Sequence, residues 1–217
     1  MSDLKYPRRE FIQAAGAAFI AMHDKASIPS FGQDESRGYE RWLEGLDGRH
    51  RAFFDVDALR DGILGRVDNF LGVYRDEYSL RDSDVNVLFG AHGNGLGFVL
   101  NDAMWKKYQL GRRYSVMDPR AAIPAVRNIY IATDPSYGWP TDYSITALQK
   151  RGVRFLGCRG TMRNLSRQLV ADSRRDSADQ ILSELRSNLI DGAQEVPAMI
   201  VAQNRAQEAG LTYAYLV

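Results

Sequence analysis

The chain has 217 residues, 45% of them hydrophobic, with 28 Lys and Arg against 27 Asp and Glu for a formal net charge of +1. That is enough apolar material for one ordinary domain plus an appendage, and the balanced charge gives little support to a nucleic-acid role. The single cysteine excludes an intramolecular disulfide and an all-cysteine zinc site within one subunit, and no apolar stretch approaches the length of a membrane span.

The first residues stand apart. Arg8 and Arg9, followed by Phe11 and Ile12 and then a short, mildly apolar run to Met22, resemble a twin-arginine (Tat) export signal. No clean small-residue cleavage site follows, so the alternative is an uncleaved amphipathic N-terminal helix. Residues 1–26 are thus expected to be a Tat-like signal or N-terminal helix, 27–48 a polar connector, and 49–217 an α/β domain. The expected compartment is the periplasm, or the cytoplasm if the helix is retained.

The body opens on a predicted strand, His50–Val56. A long amphipathic helix follows, with Leu59, Ile63, Val67, Phe70, Leu71, Tyr74 and Tyr78 on one stripe. A second strand, Asp84–Gly90, is almost continuously apolar, as a strand covered on both faces requires. It ends at Ala91-His92-Gly93-Asn94-Gly95, and a helix through Phe98, Leu100 and Met104 to Tyr108 is predicted to begin nearby. From about 110 to 143 the pattern is irregular and rich in Pro and aromatics, which marks a functional loop, a lid or an oligomer contact. A helix to Lys150 then leads into the strand ending at Cys158, with Gly160 read as a turn and Thr161 as the N-cap of the next helix. A helix through Ile181 and Leu185, a short strand at Gln194–Val196, a helix from Ala198 to Ala209 and a final strand from Leu211 complete the chain. The alternation predicts an α/β fold: a single three-layer domain with a mostly parallel five-stranded sheet in a flavodoxin-like arrangement.

Three groups of residues are candidates for chemistry. Cys158 closes a strand where ligands of open α/β sheets gather, and a thiol facing the next helix start has its anion stabilised there; equally, a lone free cysteine is often only a small buried hydrophobe. His92 ends another strand and lies on the same sheet edge, within reach of Cys158 if the two strands are neighbours. Gly93, Asn94 and Gly95, with Thr161, are expected to bind a small anion or sulfur oxyanion. The glycine spacing does not match the dinucleotide fingerprint, so no cofactor is expected, and three histidines with one cysteine make a metal site within one chain a poor prospect. Trp105 is read as packing, and Arg112 and Arg113 as a solvated basic face.

His92-Gly93-x-Gly95, Leu100-Asn101-Asp102-Ala103 with Trp105, Arg151-Gly152-Val153-x-Phe155-x-x-Cys158-x-x-Thr161-Met162, Val196-Pro197-Ala198 and Gly210-x-x-Tyr213-Ala214-Tyr215 together resemble the DsrE-like family of sulfur-relay proteins. The resemblance covers roughly residues 50 to 217, apart from the 110–143 insertion. It implies a compact parallel α/β sheet, a homo-oligomer (trimer or hexamer), and sulfur carried as a cysteine persulfide between a sulfur donor and an acceptor protein. Cys158 is then the carrier or nucleophile and His92 its proton-transfer partner. The rival expectation is a non-catalytic oligomeric binding or assembly protein in which Cys158 is core. A third, a small-ligand enzyme without thiol chemistry, would centre on His92 with Tyr137 or Trp139.

Overall fold

The computed structural model describes residues 40–131, 143–172 and 176–217. The Tat-like segment, most of the connector, and Tyr137 and Trp139 of the insertion lie outside the described residues.

Five strands form one sheet: β1 (His50–Val56), β2 (Val85–Ala91), β3 (Arg154–Cys158), β4 (Gln194–Val196) and β5 (Thr212–Leu216). All neighbouring pairs are parallel, in the order β4-β3-β2-β1-β5. Parallel strands need a crossover between them, and helices that cover both sheet faces supply the other two layers. This is the predicted three-layer α/β domain, consistent with a flavodoxin-like arrangement.

Alternation along each strand divides the core. Ala52, Phe54, Val56, Val87, Phe89, Ala91 and Phe155 face the larger apolar cluster. Helices α1 (Ile63–Asp76), α4 (Ile145–Lys150), α5 (Arg159–Leu169) and α6 (Ala178–Ser187) press into it with Ile63, Val67, Leu148, Met162, Leu165, Ile181 and Leu185. The opposite phase of the same strands, Phe53, Leu88, Leu156 and Cys158, meets Trp42 and the face of α7 (Met199–Glu208) that carries Met199, Ala202 and Ala206. A residue in that phase near a strand's carboxyl end therefore lies on the α7 side of the sheet rim. Asp55, His92 and Cys158 all do.

Two predicted boundaries are corrected. The single helix expected through Phe98 to Tyr108 is broken: a 3-10 stretch, Gly93–Val99, gives way to an extended Leu100, which bridges to Leu189, and only then does α2 (Asp102–Lys107) begin. Asn101 caps it, its side chain accepting from Met104 N at 3.2 Å. Asn128 then braces the break from within the insertion. Fully buried, it donates from Nδ2 to the carbonyls of Gly97, Phe98 and Leu100 and accepts from Tyr130 N. The insertion also carries a short helix, α3 (Leu110–Arg113). The second correction concerns α5, which starts at Arg159 rather than after Thr161; Gly160 is helical, and Cys158 itself is the N-cap.

Candidate functional site

The site forms at the carboxyl ends of β1, β2 and β3. β2, β3 and β4 lie in succession to one side of β1, and β5 lies on the other; the carboxyl edge of an open parallel sheet is where ligands are held. Pairing of Ala91 with Gly157 puts the next residues, His92 and Cys158, side by side on adjacent strands. The two sequence-predicted chemical groups are therefore brought together at one rim. They share a cleft of about 450 Å³ that also receives Asp55, Thr161, Arg163 and Arg167.

Cys158 is 6% exposed and packs within the smaller apolar cluster, yet it contributes to the cleft wall. Its Sγ accepts from Thr161 N at 3.4 Å, the bond a capping side chain makes to the third residue of a helix. A sulfur there sits at the amino-terminal end of α5.

His92 faces a buried acid that the sequence reading did not single out. Its Nε2 stands 2.7 Å from Oδ1 of Asp55, which is 7% exposed. The contact is a short pairing rather than an aligned hydrogen bond, since Oδ1 has no hydrogen bond of good geometry. The other oxygen, Oδ2, accepts from the Tyr213 hydroxyl at 2.9 Å. Next along the rim, the Tyr215 hydroxyl donates to Asp57 Oδ2 at 2.5 Å, and Asp57 holds that phenol's pKa up at about 12. Two β5 tyrosines thus clamp two carboxylates at the end of β1. The sequence signal for Asp55 is its charge inside the apolar run Phe53-Phe54-Asp55-Val56.

The short contact with Asp55 raises the His92 pKa above its ordinary 6.5; burial opposes this, and Asp57 adds a smaller push in the same direction. The folded value lies above the unfolded one. The charged pair therefore stabilises the fold fully below about pH 6.5, and that contribution fades as pH rises through the folded pKa. Asp55→Asn should bring the His92 titration, followed by NMR of its ring protons, down toward or below the ordinary value; an unchanged midpoint would mean that Asp55 does not control the ring.

The glycine turn serves a different purpose from the one expected. Gly95 N donates to the Asp57 carbonyl at 3.0 Å, and Gly93 N to Thr161 Oγ1 at 3.3 Å, so both amides are engaged within the protein. Asn94 is exposed and does not line the cleft. A Cβ on Gly95 would lie 2.4 Å from the Val56 carbonyl oxygen, so glycine here lets the turn close against β1. Of the four residues expected to hold an anion, Thr161 is the one whose amide points at the sulfur.

A larger cavity of about 730 Å³, which includes Lys107, Arg112 and Arg113, lies elsewhere. Lys107 pairs there with Glu184 and Asp176, and Arg113 with Asp172. Trp105 is packing, as read: fully buried, it donates from Nε1 to the Gly97 carbonyl. No group of three or more metal-ligating side chains occurs among the described residues, and no described helix is long and apolar enough to cross a membrane.

No family model matches the chain, and no curated protein matches it. Among solved structures, it is similar to the protein of unknown function MTH1491 from Methanobacterium thermoautotrophicum, with 17% identity over 77% of this chain and 99% of that one and a TM-score of 0.39.

Proposed function

We propose that this is a DsrE-like sulfur-handling protein in which Cys158 accepts sulfur as a persulfide and passes it on. One observation carries the reading: a lone thiol, bonded by the Thr161 amide at a helix start, lines a cleft shared with the His92–Asp55 pair. The Thr161 amide faces the sulfur at the start of α5, and the thiolate is the attacking species. His92, held by Asp55, supplies a proton to the departing sulfur. A homo-oligomer, trimer or hexamer, a sulfur-donating or accepting partner protein and export through the Tat-like segment belong to the same reading. Incubation with a persulfide donor should make the intact protein heavier by one sulfur atom, and Cys158→Ser should remove that adduct completely. Wild-type protein that gains no sulfur would end the proposal.

A second reading, a non-catalytic assembly protein, draws on the apolar company of Cys158, which packs with Leu156, Val196 and Met199, and on the exposed Ile200 and Val201 of α7. Access of reagents to the native thiol separates the two.

A further inference from the structure

Four neighbouring strands each contribute one polar group near the rim of the cleft. Reading across the sheet, β3 ends in Cys158, β2 runs into His92, β1 carries Asp55 and β5 carries Tyr213. Tyr213 is the one of the four that the transfer chemistry does not touch. In strict register it stands level with Phe53, and Tyr215 stands level with Asp55. Yet each phenol reaches two residues further toward the carboxyl end of β1: Tyr213 donates to Asp55 Oδ2 at 2.9 Å, and Tyr215 to Asp57 Oδ2 at 2.5 Å. Tyr215, the direct neighbour of Asp55 across the ladder, is committed to Asp57, so the contact with Asp55 falls to Tyr213.

Asp55 needs such a contact. A carboxylate turns about its terminal bond with only broad preferences, so an acid with one oxygen unheld does not present the other in a fixed place. Asp55 is buried, and its two oxygens meet different partners: Oδ1 faces His92 Nε2 at 2.7 Å, and Oδ2 takes the Tyr213 hydroxyl. Holding Oδ2 fixes the plane of the carboxylate and with it the place of Oδ1. Burial and the bond to Asp55 raise the Tyr213 pKa, with Gln203 of α7 acting in the opposite sense. The phenol therefore stays a donor throughout the range in which a histidine titrates. The other charged or titratable groups around His92 and Asp55 are Asp57 after β1, Cys158 on β3, and Arg163 and Arg167 of α5; α7 contributes the uncharged Met199, Ile200 and Gln203.

We infer that Tyr213 is a positioning residue: its hydroxyl locks the Asp55 carboxylate in the orientation that presents Oδ1 to the His92 ring, and so holds the imidazole at the rim beside Cys158. The phenol acts through Asp55, not on the ring itself. Its bearing on sulfur transfer rests on the reading of Cys158 as sulfur acceptor; the ordering of His92 does not. A partly exposed tyrosine on an edge strand can serve simply as apolar cover. Phenylalanine gives that cover equally, so the hydroxyl is what distinguishes the two roles.

The test is a double-mutant cycle on the His92 titration, followed by NMR of the ring protons in the full chain. Tyr213→Phe keeps the ring and removes the donor. The freed carboxylate then turns away from the imidazole part of the time, and the His92 midpoint should fall by about half to one pH unit, the equivalent of one ordinary hydrogen bond. In an Asp55→Asn background the same substitution should produce no further fall. A midpoint unchanged or raised in Tyr213→Phe would overturn the inference, as would an equal fall with and without Asp55. The pH at which loading of Cys158 slows, followed by intact mass, should move down with the midpoint; loading that ignores the shift would overturn the part of Tyr213 in transfer. Wild-type protein that gains no sulfur would overturn the sulfur-acceptor reading, and the titration would still decide whether Tyr213 positions Asp55.

Discussion

Replacing His92 with alanine should slow sulfur loading of Cys158 about a hundredfold, the lower end of what a positioned acid–base group contributes. The imidazole lies beside Cys158 on the neighbouring strand, and Asp55 at 2.7 Å raises its pKa above the ordinary value. It therefore offers a proton at the point where the donor thiolate departs. In the wild type, the rate should fall as pH rises through the raised His92 pKa. In the variant, that fall should vanish. His92 is partly exposed at the end of its strand, so the substitution opens no core cavity, and the variant's circular dichroism should match the wild type. A variant with undiminished rate and an unaltered profile would remove His92 from the chemistry.

The second large effect is on stability. Asn128→Ala should lower the free energy of unfolding by about 2–4 kcal/mol, measured by the shift in denaturant midpoint. One buried amide donates to three carbonyls at the break between the 3-10 stretch and α2, and its oxygen accepts from Tyr130 N. Alanine leaves the Phe98 and Leu100 carbonyls short of a donor in a fully buried setting, whereas Gly97 keeps the Trp105 indole. Because the 3-10 stretch continues directly from His92, loosening it should also broaden the His92 ring resonances. A change within about half a kcal/mol would mean that water replaces the lost donor.

Strands were the most legible part of the sequence, for a physical reason. β1, β2 and β3 are covered on both faces, so their apolar runs are nearly unbroken and bounded by Gly, Asp or Arg. Placing His92 and Cys158 on one edge followed from parallel topology alone. What was illegible depends on contacts between distant segments. Asp55 acquires its meaning from His92 on the next strand and from Tyr213, 158 positions away in the chain. The glycines after β2 looked like an anion cradle because a close approach to a ligand and a close approach to a neighbouring carbonyl demand the same residue; Val56, not an anion, sits against Gly95. The start of α5 was misplaced because cysteine is a rare cap and Gly160 reads as a turn, although its helical placement brings it close to the sulfur.

The same contacts make the site two-sided. Viewed from the strands, Cys158 belongs to an apolar cluster with Leu156, Val196 and Met199; viewed from the rim, it faces His92, Asp55 and the arginine stripe of α5.

Whether solvent-borne reagents meet the Cys158 sulfur in the folded state decides between carrier and core. The rate of iodoacetamide labelling, followed by intact mass with and without denaturant, measures this directly. The account predicts labelling of native protein, faster in wild type than in His92→Ala. Modification only after unfolding would contradict it and leave the α/β architecture without its chemistry.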